Sequence, residues 1–187
     1  QYVDYALWQR GEALAPLLAS HREYWRSALR EGEVAVLELP LDFARPSVQT
    51  FAGDAVPLVV SAGVVSRLEA VGRSVGGCTL FQLVLAVWSM VLCRHAGQEE
   101  VVIGSPYHGR DAAGTEALIG YFVNMLALVL ATSRDFHFRD LLIETASVSF
   151  DGVRHAMLPF LSIVHDVLPR RVPDPSRNAI FQALMSW

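Results

Sequence analysis

Apolar residues along this chain switch between helical and extended rhythms. Between residues 2 and 30 they stand at Leu7, Trp8, Leu14, Leu17, Leu18, Tyr24, Trp25 and Leu29, which predicts two helical pieces broken near Gly11 to Pro16. Residues 37–57 hold Pro40, Pro46 and Pro57 with few periodic apolar positions, so an extended connection followed by a short strand is expected there. Val64, Val65, Leu68, Val71 and Val75 return to helical spacing, with Ser66, Arg67, Glu69 and Arg73 opposite them and Gly76-Gly77 as the stop. That pattern describes a surface helix with one buried face.

The next helix is marked at both ends. Thr79-x-x-Gln82 has the form of a capping box, Arg94 and His95 lie where the helix dipole favours cations, and Gly97 supplies a stop. Between them, residues 80–93 are apolar except for Gln82 and Ser89, so this helix should be covered on several sides. The run is too short to cross a bilayer, which takes about 20 apolar residues.

Val101-Val102-Ile103 reads as a short strand buried on both faces, and residues 104–114 as a loop. Alternation over 122–130 predicts a second strand, with Asn124 a lone amide in the row Phe122, Leu126, Leu128, Leu130. An amphipathic helix comes next at Phe138, Leu141, Leu142, Thr145 and Val148. Then come a shorter helix over 160–168 closed by Pro169, and a last strand over 179–187. Helices separating short strands imply an α/β (α+β) layered sandwich.

Composition narrows the function. The chain has 187 residues, 52% of them hydrophobic, enough for one sizeable core. A net charge of -4 without a dense Lys/Arg cluster argues against nucleic acid. Cys78 and Cys93 lack the close Cys or His neighbours of a zinc site, which suggests a reducing, cytoplasmic setting with no structural metal. The start at Gln1 lacks a signal-peptide pattern and the end at Trp187 is abrupt, so further sequence is expected on both sides.

No GxSxG, HExxH or phosphate loop is present, and the six histidines are scattered singly. A lone histidine is more often a surface or capping residue than a base; His95 has a reason at its helix end, and His165 should face solvent. The best local candidate for a site is the segment Gly104, Ser105, Pro106, Tyr107, His108, Gly109, Arg110, where two glycines permit close backbone approach beside a polar His and Arg. An ordinary strand-to-helix turn explains it as well. Asn124 either serves a site or bonds neighbouring backbone.

The order of short motifs adds a family. Tyr2-Val3-Asp4-Tyr5-Ala6-Leu7-Trp8-Gln9 resembles the YxDYAxWQ motif of nonribosomal peptide synthetase condensation domains. Tyr24-Trp25, Leu37-Glu38-Leu39-Pro40 and Arg45-Pro46 resemble the stretch downstream of that motif in the family. The segment from Gly97 to Pro106 resembles GQEDIVVGTP, Ile119-Gly120-Tyr121-Phe122-Val123-Asn124 resembles IGxFVN, and Ser176-Arg177-Asn178 with Ile180-Phe181-Gln182 resembles SRNPLFQ. The matches run in family order over essentially the whole chain.

This resemblance implies one chloramphenicol acetyltransferase-like lobe, incomplete. Residues 1–57 would be inter-lobe helices and connection, and residues 58–187 the C-terminal lobe. It implies peptide-bond formation between donor and acceptor thioesters carried on the phosphopantetheine arms of upstream and downstream peptidyl carrier proteins, with no cofactor bound directly. Its expected partners are those carriers, a missing N-terminal lobe and adjacent synthetase domains. The family's catalytic HHxxxDG motif is not in this sequence, so no catalytic residue is assigned and the chain alone should be inactive. Asn124 would line or brace the substrate tunnel, and Gly104, Ser105, His108 and Arg110 would support it near the lobe junction.

Some positions depart from the family pattern. Met125 stands where Thr is usual, the stretch from Arg154 to Phe160 lacks the acidic residues of HQDLPFE, and Asp174-Pro175-Ser176 differs from RDxSR. These departures keep open a condensation-like interaction module that docks carrier or tailoring proteins. An epimerising or ester-forming relative is the third reading.

Overall fold

The computed structural model describes residues 1–133, 135, 137–167 and 174–187. Helix α1 spans Tyr2–Gln9 and α2 spans Ala15–Ala28, with a short 3-10 turn between them. The break lies where expected, and Pro16 sits in the first turn of α2, where its missing N–H costs no helical bond. Helix α3 covers Ala62–Ser74 and ends as Gly76 and Gly77 take positive φ.

Helix α4, Leu80–Ala96, carries both of its sequence-encoded ends. Gln82 N–H donates to Thr79 Oγ1 at 3.2 Å, Thr79 N–H donates to Gln82 Oε1 at 2.9 Å, and Gly97 closes the helix with φ 67°. Such a cap is worth about 1 kcal/mol. Gln82 Nε2 also donates to Ser149 Oγ, tying α4 to α5, Phe138–Arg154. Helix α6 is Phe160–Val167; Leu168 and Pro169, expected at its end, lie outside the described residues.

The sheet has the order β2-β1-β3, with β1 at Glu100–Tyr107, β2 at Asn124–Ala131 and β3 at Ala183–Leu184. Strands β1 and β2 are antiparallel, with Val101 opposite Leu130 and Tyr107 opposite Asn124. Strand β3 pairs in parallel, setting Ile103 against Ala183. Trp25, Leu29, Val34 and Leu37 share one buried core with Val101, Ile103, Leu128, Leu130 and Ile180, so the N-terminal helices close over the sheet. Each fully buried side chain of this size contributes about 1.5–3 kcal/mol.

Three local expectations are corrected. Residues 104–107 are not loop but the second half of β1, because β2 supplies a partner for each of them in register. Pro106 fits there since β3 reaches only Ile103 and Gly104, leaving the other side of β1 open at Pro106. No strand comes after residue 57 before α3, and Val56, Leu58 and Val59 are about nine-tenths exposed. A strand needs a partner edge, and none among the described residues reaches this segment. The final strand is two residues long rather than spanning 179–187.

Two motif glutamines hold the irregular connection against this core. Gln98 Oε1 accepts Glu38 N–H at 2.9 Å and its Nε2 donates to Val36 O, while Gln182 Oε1 accepts Leu37 N–H at 2.8 Å. Arg177 donates to Glu38, and Asp174 Oδ1 accepts both the N–H and the hydroxyl of Ser176. The segments resembling GQEDIVVGTP and SRNPLFQ therefore have a structural role, satisfying backbone that has no ladder of its own.

Candidate functional site

Three stretches far apart in sequence, joined by Gly109, Asp111 and Ala112 of a fourth, meet at one cavity of about 330 Å³. Helix α1 supplies Tyr2, Tyr5, Trp8 and Gln9; the entry to β2 supplies Tyr121, Phe122, Asn124 and Met125; residues 156–161 supply Met157, Pro159 and Phe160. Phe122 is the hinge of this arrangement. Its ring meets Tyr2 edge-on at 5.2 Å and Tyr5 at 4.8 Å, and the Arg110 guanidinium covers it at 4.2 Å. Tyr2 Oη–H donates to Tyr121 O at 2.7 Å, pinning the start of α1 to the approach to β2.

Backbone freedom makes the approach possible at Gly109. Its φ is 64°, and a Cβ would collide with the carbonyl oxygen of Phe122. The next residue, Arg110, donates to the carbonyls of Thr115 and Leu118 and so holds the 109–118 turn in place.

Asn124 anchors the opposite wall. Its Nδ2 donates to the carbonyls of Ala156 and Leu158, both at 2.7 Å, and its Oδ1 accepts Phe160 N–H at 2.9 Å. One amide thereby satisfies three backbone groups of the strap joining α5 to α6. The strap's other end is held by α2: Trp25 Nε1–H donates to His155 O at 2.9 Å, Tyr24 stacks on the His155 ring at 4.0 Å, and the Nδ1 atoms of His21 and His155 face each other at 2.8 Å.

The phenols of Tyr5 and Tyr107 stay protonated at neutral pH. Burial, and then the neighbouring Tyr2 and Asp111, push Tyr5 upward. Tyr107 is pushed up to about 12 by burial and by the hydrogen bond it donates to Asp111 at 2.6 Å. No nucleophile-and-base pair lines the cavity, and no cluster of three or more metal-ligating side chains is found among the described residues. The chemistry on offer is shape, aromatic surface and fixed polar groups.

The five residues singled out from sequence do not converge. Asn124 lines this cavity, whereas Ser105 is buried beside a second one of about 290 Å³ with Leu126, Leu128 and Trp187. Gly104 leaves room for the Phe181 ring, which a Cβ would strike. His108 is exposed, and its Nδ1 accepts Arg110 N–H. Arg110 serves as a brace. Sequence reasoning did not find the aromatic wall of α1 as a lining, though Tyr2, Tyr5 and Trp8 recur at i, i+3 and i+6, a spacing that puts them near one face. The His21–His155 contact, 134 residues apart in the chain, has no local signal.

This architecture is that of a chloramphenicol acetyltransferase-like lobe. Over residues 1–187 the sequence matches the Condensation domain family, and the chain belongs to that family, as a condensation domain of the nonribosomal peptide synthetase type. It is 39% identical over 187 residues to malpibaldin synthetase of Mortierella alpina, covering 100% of this chain and 3% of that protein. Among solved structures, it resembles holo-AB3403, a four-domain nonribosomal peptide synthetase bound to AMP and glycine, with TM-score 0.82 and 28% identity over 89% of this chain and 12% of that one. The X-domain in its complex with OxyB from teicoplanin biosynthesis matches at TM-score 0.88 and 27% identity over 98% of this chain and 41% of that one. This chain thus spans less than half the length of each of those proteins. No described helix is long and apolar enough to cross a membrane.

Proposed function

We propose that this chain forms one side of the substrate passage of a domain that joins a donor acyl or peptidyl thioester to the amine of an acceptor aminoacyl thioester, making an amide bond. The observation that carries this reading is the meeting of three motif-bearing segments, around Tyr5, Phe122 and Phe160, at one cavity. An aromatic-lined space with few polar groups suits the pantetheine arm and acyl chain of a carrier protein, which need apolar surface and occasional hydrogen bonds. The proton transfer is assigned to residues outside this chain, because the sequence holds no HHxxxDG motif and the carboxylate lining the cavity, Asp111, is engaged by the Tyr107 hydroxyl. The chain by itself is then inactive, and its partners are the flanking carrier proteins and the remainder of the condensation domain.

The test is a condensation assay in the intact protein with loaded carrier proteins, comparing wild type with Met157→Trp, which fills the cavity without touching a hydrogen bond. Wild-type product that falls at least about tenfold in the variant supports a substrate passage; tenfold corresponds to about 1.4 kcal/mol of transition-state stabilisation. Unchanged product would separate the cavity from the reaction.

A second reading is a docking module that performs no condensation. It draws on the likeness to the teicoplanin X-domain, whose solved complex contains OxyB, and on the non-acidic strap His155-Ala156-Met157-Leu158. A folded wild-type protein that yields no product yet binds a carrier or tailoring protein would favour it.

A further inference from the structure

The strap that walls the cavity is held at two places of different chemistry. Asn124 grips residues 156–160 with a group that does not titrate. The grip at residue 155 is a pair of titratable rings: His21, buried on α2, and His155, at the C-terminal cap of α5, with Nδ1 atoms 2.8 Å apart. At that separation one Nδ1 must carry a hydrogen and the other a lone pair. The Tyr24 ring stacks on His155 nearly parallel, at 7°, and Trp25 Nε1–H holds the His155 carbonyl.

From this geometry we infer that His21 and His155 form a proton-counting latch on the cavity wall, closed while the pair holds at most one extra proton and opened by the second. Counting protons on the two rings gives the rule. In the neutral pair one ring donates from Nδ1 and the other accepts. A first added proton goes to Nε2 of the donor ring, and the bond survives, now charge-assisted. A second must occupy the remaining Nδ1, which sets two N–H groups and two positive charges against each other at 2.8 Å. The rings must then separate, and the strap loses the side-chain part of its hold on α2, keeping only the bond from Trp25 Nε1–H to the His155 carbonyl.

The surroundings do little to relieve that repulsion. Tyr24 stays protonated, pushed up to about 12 by burial and then by Asp151. From α5, Asp151 raises His155 while Arg154 lowers it. On the other side, Asp166 of α6 is already paired with Arg22 of α2 at 2.9 Å. Burial is the largest influence on both histidines and lowers each of them, so opening comes below the ordinary histidine range. The pair titrates as a unit in two steps rather than as two independent rings.

This inference does not depend on the condensation reading and is tested without any substrate. Hydrogen-exchange mass spectrometry on the intact protein would follow residues 155–163, with α4 as the internal reference for global unfolding. Glutamine at either position can donate to a neutral ring and accept from a protonated one, so His21→Gln should keep the latch shut at every pH. In wild type, protection of 155–163 relative to α4 should fall at least about tenfold between about pH 7 and about pH 4.5, and in His21→Gln by less than about threefold. No fall in wild type, or an equal fall in the variant, overturns the latch. If His21→Gln also exposes α4, and so fails to fold, His155→Gln decides: a flat profile upholds the inference, and a wild-type-like fall rejects it.

Discussion

Asn124 and Phe160 are joined by a hydrogen bond from the Phe160 N–H to the Asn124 Oδ1 at 2.9 Å, and the same side chain takes two carbonyls of the strap from below. A strand residue thereby fixes the first turn of a helix 36 residues away.

Replacing Asn124 with Ala leaves one N–H and two carbonyls without their partner. At about 1 kcal/mol for each bond, with partial compensation by water, the expected loss is about 2–3 kcal/mol. Asn124→Asp should be no better, since a carboxylate keeps the acceptor but loses both donors and faces two carbonyl oxygens. Urea denaturation of the intact protein would measure both. A loss below about 0.5 kcal/mol for the alanine variant would mean that the strap is held elsewhere.

Gly104→Ala should destabilise by about 1–3 kcal/mol, because its methyl group enters the space of the Phe181 ring. The double variant with Phe181→Leu should recover part of that loss, since a smaller side chain yields the room. A double-mutant cycle by thermal unfolding gives the coupling, and strict additivity would refute the packing argument.

Thr145 lies in α5, fully buried, and its Oγ1 has no hydrogen-bond partner among the described residues. Thr145→Val keeps the branched shape and removes the stranded hydroxyl, so stability should rise by about 1 kcal/mol. A lower melting temperature in the valine variant would show that the hydroxyl is satisfied.

Raised phenols make the fold sensitive to alkali. Tyr107 and Tyr24 are both pushed up to about 12, chiefly by burial, and the folded state therefore holds their protons more tightly than the unfolded chain does. Their contribution is intact below about pH 10, the ordinary tyrosine value, and is lost as pH rises toward about 12. Tyr107→Phe should flatten the decline in stability over that window, as read by denaturation at a series of alkaline pH values. An unaltered slope would place the sensitivity elsewhere.

How much of the fold and the site was legible in the sequence depended on how far each signal reached. The Thr79–Gln82 box and Gly97 are local, and α4 begins and ends where they say. The alternation of β2 was visible because side-chain direction repeats every two residues. Gly104-Ser105-Pro106 read as loop because two glycines and a proline nearby are turn chemistry, and only the presence of β2 makes them a strand. The motifs around Tyr5 and Phe122 could be named from order alone, but their meeting at a common cavity needed the fold. His21 and His155 were each unremarkable singly, and no pattern in sequence joins residues on α2 and at the end of α5.

The parallel pairing of β1 with β3 sets Ile103 against Ala183, 80 residues later in the chain. At a synthesis rate of about 5–20 residues per second, the β1 edge stays unpaired for roughly 4 to 16 s after β1 leaves the ribosome, whereas β2 covers the opposite edge much sooner. During translation, that edge of β1 is open to pairing with the wrong strand until β3 arrives.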